Sequence, residues 1–114
     1  MEYTKITNTN LKVSRIGLGT WGMGGSMWGG SDEQEAILAI HVALERGINL
    51  IDTAPVYGFG KSEEIVGRAL SEHGHREDVI IATKVGLEWK DGSVYRNSSR
   101  ERIFREVAGR AAVL

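Results

Sequence analysis

The stretch Ile-Asn-Leu-Ile-Asp-Thr-Ala-Pro-Val-Tyr-Gly, residues 48 to 58, decides the fold that we predict for this chain. Its first residues are mostly apolar, which predicts a buried strand that ends at Asp52. The Pro and Gly that follow predict a turn, and Tyr57 lies within it. Taken alone, this spacing is more often a strand-capping Asp and a packed loop Tyr. A third residue, Lys84, favours an α/β active site with one fixed charge and one proton donor.

The composition is typical of one globular domain. The chain has 114 residues, of which 41% are hydrophobic and 25% are charged, and its formal net charge is −1. This charge gives no electrostatic argument for nucleic acid or an anionic membrane as a partner. The absence of cysteine excludes a disulfide, a Cys-ligated zinc and a thiol nucleophile. Neither a signal peptide nor an apolar run of ~18 residues is present, so we expect a cytoplasmic location.

The N-terminal part predicts a hairpin and a first strand–helix unit. Residues 3 to 14 alternate around a polar turn, and residues 15 to 19 predict a short strand with Ile16 and Leu18 on one face and the two glycines on the other. A Gly-, Met- and Trp-rich loop follows, which we expect to serve either as a substrate wall or as loop packing. The first helix is expected to begin at Ser31, in a capping box with Gln34. Its apolar stripe at helical spacing is Ala36, Ile37, Ile40 and Leu44.

Two further helices are predicted from their capping patterns. Ser62 is expected to cap the second helix, with Glu63 in the first turn, where a carboxylate suits the helix dipole. Residues 85 to 97 are predicted to form a loop with a turn at Lys90-Asp91-Gly92. Ser98 and Glu101 then predict the start of a third helix, with an apolar stripe of Ile103, Phe104 and Val107.

The order of elements predicts an α/β fold built as part of a (β/α)8 TIM barrel. The run Val-Ile-Ile-Ala-Thr at 79 to 83 is typical of a parallel strand buried on both faces, and it ends at Lys84. A hairpin followed by three βα units implies a parallel sheet. The residues at the strand ends favour a barrel over a doubly wound sheet. A full barrel takes about 250 residues, so the chain supplies three of its eight units.

Asp52 and Lys84 are predicted to meet at the barrel mouth. They stand at the ends of neighbouring strands about 4.8 Å apart, and alternation turns both toward the interior. A structural ion pair alone would explain these two residues. The functional interpretation adds Tyr57, whose phenol has an ordinary pKa of about 10 that a nearby ammonium lowers. Such a phenol can protonate a developing alkoxide, which is the proton half of a carbonyl reduction; the hydride half needs a nicotinamide cofactor.

Four stretches of the sequence resemble the aldo-keto reductase superfamily. They are Val-Ser-Arg-Ile-Gly-Leu-Gly-Thr-Trp at 13 to 21, Asn-Leu-Ile-Asp-Thr-Ala-Pro-Val-Tyr-Gly at 49 to 58, Ser-Glu-Glu at 62 to 64 with Gly-Arg-Ala-Leu at 67 to 70, and Ala-Thr-Lys-Val-Gly at 82 to 86. They follow the family's order, and the resemblance covers residues 1 to about 107. The Trp-rich first loop looks most like the bacterial general-stress and sugar-aldehyde branches.

The resemblance implies an NADP(H)-dependent reductase of aldehydes and ketones, with residues 1 to 114 as the N-terminal, incomplete part of one barrel domain. It implies that Tyr57 is the general acid and that Lys84 and Asp52 tune it. The cofactor-binding residues that it implies are Gly19, Thr20, Trp21 and Asp52.

The resemblance also shows what this chain lacks. The family's catalytic His at the end of strand four has no counterpart in this chain. His41 is expected on the polar side of the first helix, and His73 and His75 in the polar loop before the third strand, with no metal site predicted from them. The family's main elements for the pyrophosphate and the 2′-phosphate come from later strands. We therefore expect a truncated or frameshifted product that binds NADP(H) weakly or not at all and associates through open sheet edges. The alternatives are a non-catalytic binding or regulatory subunit and a decayed fragment.

Overall fold

A three-stranded parallel sheet organises the chain, of which the computed structural model describes residues 1–25 and 32–114. Its strands, hydrogen-bonded in this order, are β3 Leu18–Gly19, β4 Leu50–Asp52 and β5 Ile80–Ala82. The helices are α1 Glu33–Glu45, which follows β3, α2 Lys61–His73, which follows β4, and α3 Arg100–Val113, which follows β5 after a hairpin. The predicted α/β fold with three βα units is confirmed. Among the helices of the described residues, none combines the length and the apolar composition of a membrane span.

Two antiparallel hairpins accompany the sheet. Their strands are β1 Tyr3–Lys5 with β2 Lys12–Ser14, and β6 Leu87–Lys90 with β7 Ser93–Arg96. The first hairpin was predicted, whereas the prediction of a plain loop over residues 85 to 97 was wrong. The turn of the second hairpin is Asp91-Gly92, and φ is 51° at Asp91 and 78° at Gly92. Positive φ at both central residues is what a two-residue type I′ turn requires, so the Asp-Gly pair was a usable signal.

The core lies between one face of the sheet and the first two helices. Ile51 at the centre of β4 is fully buried. The other buried apolar residues of this core are Ala36, Ile37, Ile40, Ile65, Val66, Ala69, Leu70 and Val79. The apolar stripe predicted for the first helix therefore faces inward as expected, and burial of each such large side chain contributes about 1.5–3 kcal/mol. On the opposite face of the sheet, Ile80 is only partly buried and Ala82 is exposed, so the predicted burial of β5 on both faces is wrong for the described structure.

The helix starts differ from the predicted caps. Helix α1 begins after Asp32, whose Oδ1 accepts from the backbone N–H groups of Gln34 at 2.8 Å and Glu35 at 3.2 Å. The predicted cap, Ser31, lies outside the described residues. Helix α2 follows Gly60 and places Ser62 inside its first turn, so Ser62 is not the cap.

Helix α3 presents a polar face to the rest of the chain. Its cap is Ser99, whose Oγ accepts from the N–H of Arg102 at 3.3 Å, so the prediction of Ser98 as the cap was wrong. Phe104 and Val107 are exposed, whereas Glu106 is buried. The predicted apolar stripe therefore points mostly outward, because the inner positions of α3 hold charged groups that pair with other elements.

Candidate active site

The carboxyl ends of β4 and β5 bring Asp52 and Lys84 together. Asp52 pairs in register with Ala82, and Lys84 follows two residues later. The Lys84 Nζ donates to Asp52 Oδ1 at 2.8 Å and to the carbonyl oxygen of Thr53 at 2.9 Å. Both charged side chains are about half exposed, so the pair contributes little to stability by its Coulomb energy alone. The structure thus contains the ion pair that strand alternation predicted.

Tyr57 lies beside this pair. The Lys84 Nζ is 5.2 Å from the centroid of the Tyr57 ring. Partial burial by itself would lower the pKa of Lys84, but the hydrogen bond and charge of Asp52, with a smaller contribution from Tyr57, outweigh it and raise that pKa above its ordinary 10.5. Lys84 is therefore a cation at neutral pH. A fixed cation near a phenol stabilises the phenolate, which is the property that a tyrosine acid needs.

The loop that carries Tyr57 is held by a close approach of two backbones. The short 3₁₀ segment Trp21–Gly24 packs against Gly58, the residue after Tyr57. A Cβ atom at Gly58 would lie 2.5 Å from the carbonyl oxygen of Gly24, and φ at Gly58 is +61°. A residue with a side chain would thus be strained twice at this position. The same segment brings the Trp21 ring to 6.3 Å from the Tyr57 ring.

A cavity of about 210 Å³ opens beside Tyr57 and Lys84. Its remaining lining is apolar and consists of Ala54, Pro55, Val56, Val85 and Leu87. Leu87 belongs to the β6–β7 hairpin, and Trp89 of the same strand packs against Phe59 at 5.8 Å between ring centroids. The hairpin therefore forms one wall of the cavity, a role that was not predicted from the sequence. An apolar cavity with one ammonium and one phenol is suited to a small polar molecule with an apolar body.

The residues implied as cofactor-binding divide into two groups. Gly19 pairs in register with Asp52, and a Cβ atom at Gly19 would meet no atom within 4 Å. Trp21 is about half exposed, so these two positions border open space beside the ion pair. Thr20, in contrast, is fully buried, and its N–H and hydroxyl both donate to the carbonyl oxygen of Asp52, at 3.0 and 3.1 Å. In the described structure Thr20 therefore belongs to the framework beneath the site.

The Trp- and Met-rich loop was expected to be either a substrate wall or loop packing. Met23 packs against the core, which fits the second alternative, and Trp21 faces Tyr57. Met27 and Trp28 lie outside the described residues.

The three histidines lie away from this site. His41 was expected on the polar side of its helix, but its Nε2 lies 2.8 Å from the carbonyl oxygen of Ala69, and its ring is 5.5 Å from that of His73. His75 stands beside Glu77 and Asp78, with the potential ligand atoms of these three residues within 4.8 Å of one another. The side chains of His75, Glu77 and Asp78 are all exposed, and exposed clusters with acidic groups are common without a metal ion.

The sequence model of the Aldo/keto reductase family matches residues 15–109. This chain belongs to that family. Aldo-keto reductase YhdN of Bacillus subtilis is 58% identical over 107 residues, covering 94% of this chain and 32% of that protein. The NADH-specific methylglyoxal reductase of Escherichia coli is 44% identical over 120 residues, covering 95% of this chain and 36% of that protein.

Solved structures of aldo-keto reductases match nearly the whole chain. The glycerol dehydrogenase of Gluconobacter oxydans is 47% identical with a TM-score of 0.83, covering 98% of this chain and 35% of that one. An aldo-keto reductase of Bacillus halodurans in its holo form is 34% identical with a TM-score of 0.86, covering 100% of this chain and 36% of that one. These neighbours are (β/α)8 barrels, so the parallel sheet of this chain corresponds to part of such a barrel. The chain spans about a third of the length of the relatives that it matches.

Proposed function

We propose that this chain carries the proton-donating part of a nicotinamide-dependent reductase of aldehydes and ketones, as the N-terminal part of one barrel domain. The observation that carries the proposal is the Lys84 ammonium, which lies 2.8 Å from the Asp52 carboxylate and 5.2 Å from the centroid of the Tyr57 ring. The apolar cavity beside these groups gives a small carbonyl compound a place to bind.

Tyr57 acts as the general acid in this proposal. When a hydride adds to the carbonyl carbon, negative charge develops on the carbonyl oxygen, and the Tyr57 hydroxyl transfers its proton to that oxygen. The product is an alcohol, and the phenolate that remains is stabilised by the Lys84 ammonium until it takes a proton from solvent. Asp52 keeps that ammonium in place and balances its charge. A nicotinamide cofactor, when bound, supplies the hydride.

Gly19, Trp21 and Asp52 are the described residues that would border such a cofactor. The fit rests on the open space at Gly19 and on the half-exposed Asp52 carboxylate at the same strand edge. Thr20 would act through the backbone of Asp52, to which it is hydrogen-bonded. We propose NADP(H) as the cofactor from the family resemblance. The name of the Escherichia coli relative specifies NADH, so both cofactors belong in the test.

The 114-residue chain by itself is proposed to bind the cofactor weakly, to have no turnover and to self-associate. Each outer strand of the parallel sheet pairs with β4 alone in the described residues, which leaves two unpaired edges. The Asp52–Lys84 pair is half exposed, and water weakens the influence of an ammonium on a neighbouring phenol. A barrel closed by further strands would remove both defects.

The decisive experiment places this chain in a closed barrel. In a chimera, it replaces the matching region of the Bacillus subtilis relative, and oxidation of NADPH and NADH is followed with short aldehydes and ketones. Tyr57→Phe is expected to lower kcat by about 10²–10⁴-fold. Tyr95→Phe, at an exposed tyrosine of β7, serves as the matched control and is expected to retain activity.

Two results would count against the proposals separately. Unchanged turnover in the Tyr57→Phe chimera would refute the role of Tyr57 as the acid. Robust carbonyl reduction by the isolated 114-residue chain, lost in Tyr57→Phe, would refute the proposed inactivity and leave the chemistry intact.

A further inference from the structure

The first turn of α2 carries two fully buried polar side chains, Ser62 and Glu63, that the proposed reaction does not use. The Ser62 Oγ lies 2.8 Å from both the carbonyl oxygen and the Oγ1 of Thr20. Thr20 donates through its N–H and its hydroxyl to the carbonyl oxygen of Asp52. Ser62 is therefore linked, through one fully buried residue, to the backbone of the residue that holds the lysine.

Glu63 makes the corresponding link to the next strand. Its Oε1 accepts from Thr83 Oγ1 at 2.7 Å, and its Oε2 lies 2.7 Å from the Nε of Arg110 on α3. A buried carboxylate without partners is costly, so these two contacts are what allow Glu63 to remain in the interior. Thr83 directly precedes Lys84 in the chain. The carboxylate thus fixes the residue from which Lys84 extends.

We propose that Ser62 and Glu63 are positioning residues that together set the geometry of the Asp52–Lys84 pair. Ser62 fixes the backbone at Asp52, and Glu63 fixes the backbone next to Lys84. The effect of this positioning on catalysis rests on the proposed function, whereas its effect on the geometry of the ion pair does not.

The half-exposed Asp52–Lys84 pair is the reason that such positioning is needed. Exposed ion pairs of Lys and Asp are weak, and the flexible lysine stem readily adopts other rotamers. Here the ammonium is held at two points, the carboxylate of Asp52 and the carbonyl oxygen of Thr53. The residues that carry these acceptors, and the start of the lysine stem, are tied to the α2 turn by the buried Ser62–Thr20 bonds and the part-buried Glu63–Thr83 bond. The anchors on α2, Ser62 and Glu63, are themselves fully buried, so the geometry is set mainly from below the surface, where hydrogen bonds are stronger than in water.

The geometry can be tested in the 114-residue chain without any measurement of turnover. At micromolar concentration and pH 8, competitive acetylation of lysines, read by mass spectrometry of peptides, gives the reactivity of Lys84 relative to exposed Lys90. Acetylation needs the neutral amine, so the hydrogen bonds that keep Lys84 protonated make it slow. Thr83→Val removes only the hydroxyl that binds Glu63 and leaves every charge in place. Thr4→Val, at an exposed position of β1, is the matched control.

For Thr83→Val we expect the acetylation of Lys84, relative to that of Lys90, to rise about threefold to tenfold. A fall of one unit in the pKa of an amine raises its neutral fraction about tenfold. Ser62→Ala is expected to raise the ratio in the same direction from the Asp52 side. Thr4→Val is expected to leave it unchanged. Circular dichroism confirms that each variant remains folded under the labelling conditions, because unfolding would expose all lysines alike.

An unchanged ratio in folded Thr83→Val and Ser62→Ala, even with a lower melting temperature, would overturn the proposal and leave these residues a purely structural role. In the chimeric barrel, Thr83→Val should lower kcat with little change in KM. If that chimera reduces no carbonyl compound at all, the proposed function fails, while the labelling result still decides the positioning role.

Discussion

Replacing Arg102 with Met should destabilise the chain far more than the same change at Arg105. Each arginine lies on α3 and pairs with a glutamate one turn away at 2.9 Å. The Arg102 side chain is 14% exposed and that of its partner Glu106 is 2% exposed. The corresponding values are 63% for Arg105 and 84% for Glu101. The two variants therefore compare a buried and an exposed ion pair of equal length on one helix. Arg102 also lies 3.4 Å from Glu88 of β6, whose side chain is 22% exposed, so its replacement breaks a second, longer pair as well.

The magnitude follows from what each change leaves behind. Removal of one member of a buried ion pair costs about 3–5 kcal/mol, because the other charge stays buried without compensation. Glu106 also accepts from the N–H of Gly86 at 3.2 Å, so we expect the lower end of this range, about 3 kcal/mol, for Arg102→Met. Loss of the exposed pair in Arg105→Met should cost about 0.3–0.5 kcal/mol. Because whole domains are stable by only about 5–15 kcal/mol, the first variant loses a large fraction of its stability.

Urea unfolding at micromolar concentration, followed by tryptophan fluorescence and circular dichroism, measures both costs. The double variant with Arg102→Met and Glu106→Met should recover much of the lost stability. It no longer contains the buried Glu106 carboxylate that the single variant leaves unpaired. A cost for Arg102→Met within about 0.5 kcal/mol of that for Arg105→Met would refute the expected difference, because it would show that burial of the pair does not matter energetically.

Three further predictions concern the loop that carries Tyr57, the stability of the chain at acid pH, and self-association through the parallel sheet. Gly58→Ala should destabilise the folded chain by more than about 2 kcal/mol, because the new Cβ overlaps a backbone in addition to the cost of positive φ. In Gly60→Ala the new Cβ meets no atom within 4 Å, so this variant should show the cost of positive φ alone. Urea unfolding compares the two variants. The pKa of Glu33 is lowered by hydrogen bonds from a Lys and an Arg of α2, so its contribution to stability is present above pH 4.5 and is lost as pH falls through the lower folded pKa. The melting temperature of Glu33→Gln should therefore fall less steeply with acidification than that of the original chain or of Glu35→Gln. Ile80→Lys, on the open face of the sheet, should increase the monomer fraction in sedimentation velocity, and an unchanged distribution would place self-association elsewhere.

The pairing of Asp52 with Lys84 could be predicted from sequence because it depends on strand geometry alone. Neighbouring parallel strands end at the same edge, and alternation fixes the face to which each side chain points. The apolar runs around residues 50 and 80 located the two strands closely enough for that counting, even though both are shorter in the structure than predicted. The effect of Lys84 on Tyr57 is a property of the phenol and stays a prediction.

The burial of Glu63 could not be predicted from its own neighbourhood. Glu63 and Glu64 are adjacent acids in the first turn of a helix, and each suits the helix dipole equally. In the structure the first is buried and the second is 66% exposed. The difference arises because Thr83 and Arg110, far along the chain, meet the one and not the other. A tertiary contact of this kind leaves no periodic pattern in the sequence.

The same cause explains why the apolar stripe predicted for α3 points outward. Stripe counting assumes that the inner face of a helix meets an apolar surface, as α1 and α2 do at the core. The inner face of α3 instead meets two carboxylates. Arg110 pairs with Glu63 on α2, and Arg102 pairs with Glu88 on the β6–β7 hairpin. The hairpin that lines the cavity is thus attached to α3 by the Arg102–Glu88 ion pair, and the contact of Trp89 with Phe59 holds it from the other side. Since such an ion pair gains little net energy, we expect it to position the hairpin wall of the cavity, while the separate apolar core supplies most of the folding free energy.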